Sequence, residues 1–110
     1  ITSKLRKIVK RLIYLFFLFL FIFHSNSNAD EELILGKKIF IEKGNCITCH
    51  SFMDAGSNAD IGPNLNEIKP EIGRVIIAVT NGIGVMPAYE GELSSEEIKA
   101  VARYVSENSN

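Results

Sequence analysis

Two regimes of hydrophobic patterning divide the chain. From Leu12 to Phe23 the run LIYLFFLFLFIF is apolar on every side, whereas from Asp30 onward apolar residues recur at helical spacing. The first amphipathic stretch predicts a helix over 30–43, with Leu33, Gly36 and Phe40 on one stripe, acidic residues in its opening turn and Gly44 as its stop. A second helix is predicted to open at Pro70, a residue suited to the first helical position. It carries Ile72, Val75, Ile76 and Val79 at the i, i+3, i+4, i+7 spacing of a buried face and ends at Asn81 and Gly82. A third begins with Ser94 as N-cap and Glu97 as its capping-box partner, followed by Ile98, Val101, Ala102 and Val105. The pattern therefore predicts an all-α domain. Between the helices lie MDAGSNADIGPNL and NGIGVMPAYEGEL, two loops long for so small a domain unless they pack on something.

The apolar run follows five basic residues (Lys4, Arg6, Lys7, Lys10 and Arg11), the order of an export signal. Its twelve residues would reach only about 18 Å as a helix, short of the roughly 30 Å of a bilayer core. Ser27 and Ala29 place small residues where a signal peptidase needs them, so residues 1–29 are expected to be a signal peptide removed after Ala29, leaving 30–110 as one domain. The alternative is an uncleaved segment anchoring the domain to the membrane. Cleavage would leave seven basic against thirteen acidic residues, a net charge of −6. That balance disfavours nucleic acid and anionic membrane surfaces and favours a basic protein partner. A domain of this size buries a marginal core and often carries a crosslink or cofactor.

Candidate chemistry concentrates in NCITCH, residues 45–50, which holds both cysteines and one of the two histidines. A zinc site needs more ligands than remain once His24 leaves with the signal. A thioredoxin-like dithiol needs a βαβ frame that the pattern does not show. A disulfide across so short a loop would add little stability. The remaining reading is covalent haem, for which C-x-x-C-H is the signature: Cys46 and Cys49 would bond the porphyrin edge, and His50 would sit under the iron.

CITCH, IGPNL and GVMPAY, in that order between two helices, resemble the short bacterial class I cytochromes c over essentially all of residues 31–107. The resemblance implies an all-α cytochrome c fold, three or more helices wrapped round one covalently bound haem c, acting as an electron carrier in the periplasm. Within it the carbonyl of Pro63 would accept a hydrogen bond from the proximal histidine. Leu65, Ile72 and Ile76 would pack on the macrocycle. Gly36 and Phe40 would meet the C-terminal helix at Tyr104 or Val101. The sixth iron ligand is expected to be Met86: no other histidine remains after cleavage, and Met53 lies too close along the chain to His50 to reach the opposite face. A methionine is ordinarily a core filler, the reading kept for Met53. Tyr89 is read as either a neighbour of the haem or a surface residue, and Lys69 and Arg74 as solvated charges that could also meet propionates.

An iron with two protein ligands leaves no open position, so the expected function is one-electron transfer and not catalysis by the chain itself. Expected partners are redox proteins, a donor dehydrogenase or membrane complex and an acceptor oxidase. Alternatives are an electron-accepting subunit of a periplasmic dehydrogenase of the sulfite dehydrogenase type, and a haem sensor or peroxidase-like protein with a labile sixth ligand.

Overall fold

The structure is a computed structural model that describes residues 2–22 and 27–110. Phe23, the end of the apolar run, and His24 lie outside the described residues. The chain divides into one compact unit ending at Asp30 and a second from Glu31 to Asn110. In the first, helix α1 (Thr2–Ile22) carries the basic residues and leaves its apolar side chains exposed from Leu12 to Leu20. Among the described residues no helix is long and apolar enough to cross a membrane.

Helix α2 spans Ser27–Lys38, starting three residues before the expected Asp30. Its last turn widens into a π-turn over Ile39–Lys43, closed by the Gly44 N–H donating to the Ile39 carbonyl at 2.7 Å. A short 3₁₀ turn at Cys46–Thr48 follows, then two strands, β1 (Ser51–Phe52) and β2 (Ser57–Asn58), paired antiparallel with Phe52 opposite Ser57. This ribbon escaped the sequence pattern because two residues a strand leave no alternation to read. Helix α3 (Leu65–Ile68) is a single turn capped by the Asn64 side chain.

Helix α4 runs Ile72–Asn81, so Pro70 is not its first residue. Lys69 takes a left-handed conformation to end α3, and Glu71 is extended as the cap of α4. Pro70 is thus the buried link between two helix ends. Helix α5 (Ser95–Asn108) begins as its sequence predicts: Ser94 Oγ accepts from the Glu97 N–H at 3.1 Å, and the Glu97 carboxylate accepts from the Ser94 N–H at 3.0 Å. The same carboxylate holds Lys43 of the π-turn at 2.8 Å.

The core of the second unit is the crossing of α2 on α5. At Gly36 a Cβ would stand 2.2 Å from the Ala100 carbonyl oxygen and 2.6 Å from Tyr104 Cβ, so the two backbones approach as only glycine permits. One turn on, Phe40 meets Tyr104 with ring centroids 5.8 Å apart, and Phe52 meets both, at 5.2 and 5.5 Å. All three rings are buried. Each such side chain contributes on the order of 1.5–3 kcal/mol by leaving water, and each aromatic pair about 0.5–1.5 kcal/mol more. The Tyr104 hydroxyl donates to Asp54 Oδ2 at 2.5 Å, and Lys37 of α2 lies 3.3 Å from the same oxygen. Met53, expected as core filler, is instead 77% exposed, because the pairing that turns Phe52 inward turns its neighbour out.

In an exposed helix interior Gly→Ala is stabilising by about 1 kcal/mol. Gly36→Ala is expected to reverse that sign and destabilise by roughly 2–3 kcal/mol through overpacking, measured by denaturant unfolding of the holoprotein; a gain in stability would contradict the close crossing. The Tyr104 hydroxyl first, and Lys37 after it, hold the Asp54 carboxyl below its ordinary value. A depressed folded-state value means the stabilisation is complete above the ordinary carboxylate range and is lost as pH falls through the lowered value. Asp54→Asn should therefore flatten the acid limb of stability against pH and leave its neutral-pH shape unchanged.

Candidate functional site

The π-turn delivers the chain to Asn45, whose left-handed backbone (φ 51°) starts the turn carrying the cysteines. The Asn45 carbonyl accepts from the Thr48 hydroxyl at 2.7 Å, and the Cys46 carbonyl accepts from the N–H groups of Cys49 (3.2 Å) and His50 (3.0 Å). Two thiols and an imidazole are thereby fixed on one turn and a half of backbone. Both cysteines are unpaired and half-buried. Burial, with Cys49 adding to it, raises the Cys46 thiol to about 11. A thiol held neutral is a poor nucleophile for disulfide exchange, and among the described residues no group of three or more His, Cys, Asp or Glu side chains gathers as a metal cluster.

His50 Nδ1 lies 2.8 Å from the Pro63 carbonyl oxygen. Since a carbonyl only accepts, Nδ1 carries the proton and donates it, which in the neutral ring leaves on Nε2 the lone pair that a metal needs. The loop that brings Pro63 here is anchored by the Gly62 N–H donating to the Cys49 carbonyl at 2.7 Å. Gly62 lies flat against the imidazole: a Cβ there would stand 2.6 Å from His50 Cε1 and 2.8 Å from Nδ1. Beyond it, the Asn66 side chain accepts from the Met53 N–H at 2.8 Å, which ties α3 to the residue after β1, and Leu65 is buried in the core.

Met86 sits in the loop after α4, where it exchanges two backbone hydrogen bonds with Ile83 (2.9 and 3.2 Å). It is half-buried, whereas Ile83 and Val85 of the same loop are exposed. Tyr89, which the sequence left between two readings, is partly buried and donates its hydroxyl to the Gly44 carbonyl at 2.7 Å. Burial foremost, and then the nearby cysteines, raise the Tyr89 phenol above its ordinary value. Ile76 is half-buried, while Ile72, Lys69 and Arg74 are exposed. Missed by sequence reasoning were Gly62 as the plate against His50 and the Tyr89–Gly44 bond; a glycine before proline reads locally as a turn.

Residues 32–105 match the protein family described as cytochrome C oxidase, cbb3-type, subunit III. The chain belongs to the class I cytochromes c, as a short monohaem member. It resembles the c-type cytochrome SorU from Sinorhizobium meliloti, with a TM-score of 0.69 and 50% identity over 73% of this chain and 93% of that one. Cytochrome c6 of Chlorolobion braunii is 34% identical over 84 residues, which cover 69% of this chain and 90% of that protein. The cbb3-type cytochrome c oxidase subunit FixP of Bradyrhizobium is 43% identical over 76 residues, but the cytochrome spans only 25% of that subunit. One haem c is bound covalently, and the cytochrome is an electron carrier. Two thiols and an imidazole whose Nδ1 is taken up by the Pro63 carbonyl are a donor set that fits such a group.

Gly62→Ala is expected to push the imidazole off the Pro63 carbonyl and lower the yield of haem-loaded protein, measured as the ratio of haem to protein absorbance after purification. A fully loaded variant would show that the ring has room that the geometry denies it.

Proposed function

We propose that Cys46 and Cys49 form the two thioether tethers, that His50 and Met86 are the axial ligands, and that Pro63 and Leu65 belong to the haem surroundings. The observation that carries this is the 2.8 Å contact between His50 Nδ1 and the Pro63 carbonyl, which presents Nε2 one turn from both thiols. Hydrogen bonding to the carbonyl orients the ring and raises its basicity as a ligand. Met86 would supply a thioether, a ligand that favours the reduced state and so would raise the potential.

Haem c supplies the one-electron couple. Held by His50 and Met86, the iron would keep no open position for a substrate, so the group would serve electron transfer alone. Residues 1–29 serve as an export signal cleaved after Ala29, and the mature domain works in the periplasm. Its net charge of −6 steers it to a basic surface on a redox partner, a donor dehydrogenase or membrane complex on one side and an acceptor oxidase on the other. The likeness to FixP, named as an oxidase subunit, supports a second reading in which the cytochrome is a subunit of a larger oxidoreductase. Size-exclusion chromatography of the native protein separates the two.

Met86→Ala in the holoprotein should abolish the sulfur-to-iron charge-transfer band of the oxidised state and lower the potential, measured by visible spectroscopy and spectroelectrochemistry. A variant that kept both the band and the potential would remove Met86 from the ligand set.

A further inference from the structure

Tyr89 stands three residues beyond Met86 and engages every polar group it has. Its N–H donates to the Val79 carbonyl of α4 at 2.8 Å, and its carbonyl accepts from the N–H groups of Glu92 (3.0 Å) and Leu93 (2.9 Å). Its hydroxyl reaches 45 residues back along the chain to the Gly44 carbonyl, two residues before Cys46. Gly44 is itself held by its N–H on Ile39, and the π-turn it closes is tied to α5 through Lys43 and Glu97. The acceptor is therefore fixed to the core, while the loop ahead of Tyr89 has an exposed tip at Ile83, Gly84 and Val85.

We propose that Tyr89 is a positioning residue: its hydroxyl bond to Gly44 latches the Met86 loop to the cysteine-bearing segment and so sets how often Met86 leaves the iron. This rests on the reading of Met86 as sixth ligand. With the loop closed, the hydroxyl bond joins the two segments that must stay in register for a ligand on one to meet a group tethered to the other. With the loop swung away the bond is broken, so it stabilises the closed state selectively. An external ligand such as imidazole binds only the open state, and its apparent affinity scales with the open fraction. Losing one ordinary hydrogen bond raises that fraction between about two- and tenfold.

The test is imidazole titration of the oxidised holoprotein as wild type, Tyr89→Phe, Tyr104→Phe and Met86→Ala, followed in the visible spectrum together with thermal unfolding. Tyr104→Phe removes another hydroxyl bond, the one to Asp54, away from the Met86 loop. The expected result is that Tyr89→Phe keeps the charge-transfer band but binds imidazole about two- to tenfold more tightly. Tyr104→Phe should lower the unfolding midpoint and bind imidazole as wild type does. Wild-type affinity in Tyr89→Phe, or equal tightening in Tyr104→Phe, would overturn the latch and leave the ligand assignment standing. Absence of the sulfur band in the wild type, or unchanged imidazole affinity in Met86→Ala, would instead overturn the ligand assignment and the latch with it.

Discussion

The contact on which the rest depends is the approach of α2 to α5 at Gly36, where the carbonyl of Ala100 fills the space a side chain would take. It sets the level at which Phe40, one turn later, meets Tyr104, and Phe52 completes the trio from β1. Because α2 runs through its π-turn directly into Asn45, the crossing also determines where Cys46, Cys49 and His50 stand. Core and chemistry are consecutive residues of one segment.

Around that segment the structure uses backbone atoms where a sequence shows only turn residues. The Pro63 carbonyl faces His50 Nδ1, the Cys49 carbonyl accepts from Gly62, and the Gly44 carbonyl accepts from Tyr89. Each contact links the cysteine turn to a loop distant in sequence, one before α3 and one after α4. A small domain with few buried side chains gains order this way, since each bond closes a long loop onto an element the helix crossing has already fixed.

Local signals were legible to the degree that their physics is local. The Ser94–Glu97 capping box forms between residues three apart, and the buried positions Val79, Ile98, Val101 and Val105 follow helical periodicity. Gly36 was readable because a glycine costs stability in a helix unless something packs against it. Pro70 misled, since a proline suits the residue between two helix ends as well as it suits a first turn. Phe52, the Asp54–Tyr104 bond, Gly62 and the Tyr89–Gly44 bond carry no periodic signal, because their partners lie 12 to 52 residues away and are chosen by the folded chain.

On the proposed reading, the cysteine turn and the Met86 loop hold one haem iron between an imidazole and a thioether. X-ray absorption at the iron edge of the oxidised, purified holoprotein reads the ligand atoms directly. One sulfur is expected among the nearest neighbours of the iron beside the porphyrin and imidazole nitrogens, with loss of that sulfur when Met86 is replaced. A nearest shell of nitrogen and oxygen alone in the wild type would contradict it.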